Sequence, residues 1–188
     1  DAWVRFSNGN PDGAKSPDIE KDIRGMAIKL MNFKGATASG EDVGSLDLVM
    51  LTSKEFISED ANDYMQLHAA LHSSPLSLAW HFAMHPRDFA VVMSGRKEAG
   101  NPLSLEYFSS VPYKLGPRSM KFKVKACRPD TVESDIPKKP SDNFLRERLV
   151  STLKSGEACF DFFVQPNMEP DKNLVERANY PWPEEKSP

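Results

Sequence analysis

Cysteine is scarce: Cys127 and Cys159 are the only two in 188 residues, too few for a disulfide framework, and neither stands in a C-x-x-C pair. Both fall in strand-like segments, where the expectation is a pair of buried free thiols behaving as small hydrophobes. Basic excess is missing too. Lys and Arg number 24 against 27 Asp and Glu, a net charge of −3, which gives no reason to expect a nucleic-acid partner, since that would want a basic patch. No apolar run approaches the roughly 20 residues of a membrane helix, so no transmembrane segment is expected. The common catalytic signatures are also missing: there is no G-x-S-x-G elbow, no G-x-G-x-x-G or P-loop, and no H-E-x-x-H.

What remains is an ordinary globular composition, 39% hydrophobic and 27% charged, of a length that suits one domain with a sizeable core. The first strand-like stretch, Ala2 to Ser7, alternates. Ala2, Val4 and Phe6 point one way and Trp3, Arg5 and Ser7 the other, because strand side chains have a period of two. A face of Trp, Arg and Ser is neither a greasy core nor an ordinary solvent face. An arginine directed into a barrel is costly unless it meets an anion or a hydrogen-bonding network. Two readings stand: a surface ion pair at an open rim, or a guanidinium gripping a ligand carboxylate.

Further strands are expected at Arg24–Leu30 and Ser45–Leu51, separated by glycine-rich and polar loops, as in an antiparallel sheet. A helical insertion runs from about Ser58 to Gly95. Its apolar stripes are Tyr64, Leu67, His68 and Leu71, then Leu76, Ala79, Trp80 and Ala83, then Phe89, Val92 and Met93. Pro86 ends the second helix at His85 and opens the third. Met120–Ala126 alternates apolar residues with lysines, predicting one core face and one solvent face. After a proline-rich linker, Ser141 or Asp142 caps a helix carrying Leu145, Leu149 and Leu153, which Gly156 stops; Glu157–Gln165 is the last strand. Strands grouped apart from helices give an α+β class, an antiparallel β-barrel with a helical insertion.

The histidines offer little chemistry. His68 and His72 are four apart, as are His81 and His85, spacings that can bind a metal, but no carboxylate stands at ligand spacing within either helix. A hydrogen-bonded core histidine is the expectation for His68, and no metal site is expected within the chain. Asp42 and Asp47 form a conceivable carboxylate pair that loop and strand positions explain equally well.

Several pieces, taken in order, resemble the haem catalase core. They are Val4-Arg5-Phe6-Ser7, then Asp22-Ile23-Arg24-Gly25-Met26-Ala27-Ile28-Lys29, then Asp47-Leu48-Val49. Glu106-Tyr107-Phe108-Ser109, Val111 to Gly116 and Phe162-Phe163-Val164-Gln165 extend the likeness over nearly the whole chain, which is most similar to the smaller catalase-related proteins. The resemblance implies a β-barrel core binding haem inside, with residues 1–188 as a single core domain incomplete at both ends. It assigns Arg5 to a haem propionate and Ser7 to the support of a distal histidine lying outside the chain. Phe56 and Tyr64 would pack on the haem. The distal asparagine of the classical enzymes falls at Leu51, or at Thr52 with a one-residue slip, and neither is an amide. The proximal R-x-x-x-Y motif is not found, since Tyr180 follows Arg177 at the wrong spacing. The implied parent is a haem enzyme acting on hydrogen peroxide or an organic (lipid) hydroperoxide, with this chain alone inactive. The rival is a haem-less barrel serving as a binding or structural module. Solubility is expected, with the cytoplasm favoured; the oligomeric state stays open, a homo-oligomer included.

Overall fold

The computed structural model describes residues 1–10, 16–35 and 44–185, and Asp42 lies outside them. The sheet begins with β1 (Ala2–Asn8), which pairs antiparallel along its whole length with β2 (Asp22–Met31), from Ala2 opposite Leu30 to Asn8 opposite Arg24. The other edge of β2 carries β3 (Ser45–Leu51). Three helices follow: α1 (Ala61–Ser73), α2 (Pro75–Met84) and α3 (Pro86–Gly95). The chain then returns through β4 (Arg96–Lys97), paired to the start of β2, and β5 (Tyr107–Phe108), β6 (Tyr113–Leu115) and β7 (Arg118–Ala126). Both β5 and β6 pair with β7. Last come α4 (Phe144–Ser155) and β8 (Phe160–Pro166), which pairs with β7 along Met120–Ala126. The result is a mixed α+β fold around one antiparallel eight-stranded sheet.

The core forms on the face of the even-numbered residues. Met26, Leu48, Met50, Phe122 and Val124 are buried together with Tyr107, and Phe6, Ile28 and Phe160 pack against them. Burying this row stabilises by roughly 25 cal/mol per Å² of apolar surface, with no polar group to satisfy except the Tyr107 hydroxyl. That hydroxyl donates to the Pro102 carbonyl at 2.8 Å, and burial pushes its pKa up. This choice of face corrects one expectation. Trp3 and Arg5 point away from the core and are exposed, because Phe6 claims the inward direction in β1.

The sheet is not closed into the expected barrel. Among the described residues β1 and β8 have no strand partner on their outer edges, and the rings of Phe6 and Phe160 meet across the gap, 6.5 Å apart. Side-chain contact without a hydrogen-bonded ladder leaves an open sheet.

The helical insertion has the expected boundaries. Asp60 caps α1 by accepting from the Asp63 amide, Ser74 caps α2, and Pro86 separates α2 from α3 at His85. Its faces are another matter. Leu76, Trp80 and Met84 are 80%, 69% and 62% exposed, while His81 and Asp88 are buried. Leu76, Trp80 and Met84 of α2 and Phe89 and Met93 of α3 thus face outward, while His81 of α2 and Asp88 and Val91 of α3 face inward. The amino end of α4 is capped from a distance, not by Ser141 or Asp142: the Asp18 carboxylate accepts from the Leu145 amide at 2.9 Å.

Cys127 and Cys159 are joined in a disulfide rather than buried as free thiols. The register explains this. Ala126 pairs with Phe160, and the Cys127 amide donates to the Cys159 carbonyl, so the antiparallel ladder sets the two cysteines opposite each other with Cα atoms 5.6 Å apart. No helix among the described residues is long and apolar enough to cross a membrane.

Candidate functional site

The outward face of β1–β3 is set by register. One row places Arg5 opposite Ala27 and Val49, and the next places Ser7 opposite Gly25 and Leu51. Small residues at Ala27 and Gly25 keep the centre of the face shallow. A Cβ at Gly25 would stand 2.6 Å from the Ser7 hydroxyl, so this glycine is needed for the hydroxyl to lie where it does. Replacing Gly25 with Ala is expected to cost about 1–2 kcal/mol by overpacking. The Ser7→Ala/Gly25→Ala double variant should recover part of it, and additive losses in urea titrations would contradict the contact.

Arg5 is exposed, and its guanidinium makes no ion pair or hydrogen bond with any described residue. It borders a cavity of about 400 Å³ that takes in residues from both faces of β1, and so runs along that strand's free edge. Arg24, Tyr107, Leu145 and Arg146 complete its walls. Arg24 is buried and already committed, donating to the carbonyls of Asp18 and Glu20 at 2.9 and 2.7 Å. Arg5 and the exposed Arg146 are therefore the guanidiniums left available to a carboxylate ligand at this edge.

Leu51 lies across Gly25 from Ser7, an apolar residue in the same row. Thr52 is buried, with its hydroxyl accepting from the Arg24 amide at 3.0 Å and donating to the Gly95 carbonyl at 2.7 Å. It ties β2 to the end of α3 and has no proton left to donate to a ligand. Phe56 and Tyr64 do come together, with ring centroids 5.3 Å apart, and Tyr64 continues edge-on to His68 at 4.5 Å. No hydrogen bond or ring contact joins either of them to Arg5 or Ser7 among the described residues. Tyr180 is far from any role as an iron ligand; its ring is sandwiched between the guanidiniums of Arg87 and Arg177 at 3.9 and 3.8 Å.

Two groups escape sequence reasoning. Lys121 belongs to the lysine face of β7, expected to be solvated, but it is 7% exposed because the chain near Trp182 folds over it. Its ammonium donates to the Tyr180 carbonyl at 3.3 Å, and desolvation lowers its pKa to about 8. It borders a second cavity of about 510 Å³, walled by Lys54, Phe108, Lys123, Phe163 and Trp182. Sequence spacing cannot reveal this, since the cover lies about 60 residues downstream. The second group joins His81 and His85 to Asp63 and Asp88, carboxylates contributed by α1 and α3. Asp88 follows His85 by three residues, but across the Pro86 boundary; Asp63 is a whole helix away. Burial, with the Asp63 carboxyl beside it, pushes the Asp88 pKa up.

No protein-family model matches the chain, and no curated protein matches it. Solved structures do. A fungal catalase shares 15% sequence identity and a TM-score of 0.69 over 100% of this chain and 40% of that one. A bacterial catalase shares 17% identity and a TM-score of 0.70, over 100% of this chain and 39% of its own. The fold is catalase-like, and the chain spans about two fifths of the length of these catalases.

Proposed function

We propose that this chain forms one wall of a haem pocket in a catalase-like enzyme acting on hydrogen peroxide or an organic hydroperoxide. The observation that carries the reading is the outward face of β1–β3, within a catalase-like fold: an exposed, unpaired Arg5 one register row from Ser7. A haem presents propionates, and a free guanidinium fork at the rim suits a carboxylate bidentately. Arg5 therefore suits one carboxylate of such a group. Haem, when bound, supplies the redox-active iron that acts on the peroxide bond. Arg5 would hold a propionate and fix the orientation of the ring. Ser7, positioned by Gly25, would accept or donate one hydrogen bond to an imidazole brought by another part of the protein. Phe56 and Tyr64, whose rings meet at a tilt, would offer an apolar surface that excludes water. Leu51 cannot hydrogen-bond a peroxide, so proton handling would fall to other groups.

The same leucine favours a second reading, a catalase-like fold without haem that serves as a binding module. Spectroscopy separates the two. The full-length parent, purified with haem available, should show a Soret band and degrade peroxide, and its Arg5→Ala variant should retain haem about ten- to a hundredfold less tightly, the worth of a charge-assisted hydrogen bond. No Soret band would leave the module reading standing; unchanged retention in Arg5→Ala would remove Arg5 from the propionate role.

A further inference from the structure

The helical insertion carries an inversion that the strand face does not explain. Leu76, Trp80, Met84, Phe89 and Met93 of α2 and α3 face outward, and four ionisable groups turn inward at the junction of α1, α2 and α3. Asp63, His81 and Asp88 are 8%, 7% and 1% exposed, and His85 is half-buried. Sequestering such groups is costly unless something in the interior compensates them.

Their arrangement says what that is. One potential ligand atom from each of the four lies within 4.8 Å of the others. His85 Nδ1 is 3.0 Å from Asp63 Oδ1 and 3.9 Å from Asp88 Oδ2, and His81 Nε2 is 3.6 Å from Asp88 Oδ2. A tetrahedral centre with ligands at about 2.0–2.1 Å would set its donors about 3.3 Å apart, in the middle of these separations. Each carboxylate also divides its work. Asp63 Oδ2 accepts from the Glu59 amide at 3.1 Å, and Asp88 Oδ1 accepts from the Asn179 side chain at 3.1 Å. The opposite oxygens, Asp63 Oδ1 and Asp88 Oδ2, and His81 Nε2 with them, are buried without a hydrogen-bond partner and point into the shared centre. One oxygen fixed by the protein and one left over is the outer-shell support that orients metal ligands.

We propose that Asp63, His81, His85 and Asp88 bind a single divalent first-row transition metal, zinc by donor set and geometry, as a structural site. Four protein ligands close a tetrahedral shell and leave no position for substrate, so the ion acts as a staple, not a catalyst. It joins three helices, and through Asn179 it also fastens the chain after β8, whose backbone carbonyl there receives Arg87 Nε at 2.7 Å.

The test is metal binding to the full chain. Stripped with a chelator and titrated with zinc in a calorimeter, it should take up one equivalent. Zinc at a hundred times its Kd should raise the melting temperature by about 5–10 °C. Cobalt(II) should give the intense visible bands of a tetrahedral complex, which zinc then bleaches, a readout on the unaltered chain independent of any variant's folding. The His81→Gln/Asp88→Asn variant, its fold checked by circular dichroism, should bind zinc at least 100-fold more weakly. The His68→Gln/His72→Gln variant removes the other i, i+4 pair and should bind normally. Weak substoichiometric uptake, an octahedral cobalt spectrum, or affinity that depends on His68 and His72 would overturn the site.

Discussion

Replacing Cys127 and Cys159 together with alanine is expected to lower the free energy of unfolding by about 3–4 kcal/mol. The bridge spans 32 positions and closes a loop that contains the proline-rich linker and all of α4. Cross-linking removes the entropy that this loop would gain in the unfolded chain, and a loop of such length accounts for that magnitude. The bond also sits one ladder position beyond Ala126 and Phe160, where it pins the β7–β8 register at the end farthest from the hairpin of β6 and β7. Cys159 is exposed, so reductant can reach it in the folded protein. Urea titrations with and without dithiothreitol supply the check. Reduced wild type should coincide with the double variant, both melting about 10 °C below the oxidised protein. A loss under about 1 kcal/mol would mean that the loop is equally confined without the bond.

The second large effect runs the other way. Lys121→Met should stabilise the protein at neutral pH, by up to about 3 kcal/mol. Burial moves the Lys121 pKa from 10.5 down to about 8, and a displacement of that size is worth about 3 kcal/mol at pH 7. The sign follows from proton counting. Below pH 8 the lysine is charged in both states, and the folded protein bears the full desolvation cost. Between about pH 8 and pH 10.5 the unfolded chain holds the proton that the folded chain has lost, so stability rises with pH. The hydrogen bond to Tyr180 and the Trp182 ring 5.5 Å away offset part of the cost, which makes the figure an upper value. The difference between wild type and Lys121→Met, followed from pH 7 to pH 10.5, should shrink steadily. A gap that widens with pH would show the lysine to be stabilised in place as a cation.

Much of the fold is legible in short-range pattern. Alternation in β1 and β7, proline and cap residues around α1–α3, and Gly156 after α4 all lie within a few residues of what they control. The α+β class and the catalase-like likeness follow from elements of that kind in order. What escaped depends on partners far along the chain. Alternation shows that Arg5 and Ser7 share a face, but which face becomes the interior is decided when Phe6 meets Tyr107 and Phe160. The lysines of β7 read as solvated because nothing near them foretells Trp182. The hydrophobic stripe fails in α2, where the inward residue is His81 rather than Trp80 and Leu76, and α3 sets Asp88 beside Val91 on its inward face. The cysteine pair was the most accessible of the misses. Two cysteines at the facing ends of antiparallel neighbours must meet once the β7–β8 register is fixed, and the helix between them makes that pairing natural.

The open sheet has a practical consequence. Along the outer edges of β1 and β8 run backbone amides and carbonyls with no ladder partner among the described residues, flanked by side chains such as Trp3 at 74% exposure and Phe162 and Phe163 at 44% each. A bare strand edge beside aromatic residues is a template on which another extended chain can polymerise. Handled alone at high concentration, this chain should therefore be lost to aggregates built edge to edge. A charged residue or a proline introduced along β1 would be a better solubility remedy than any change to its compact interior.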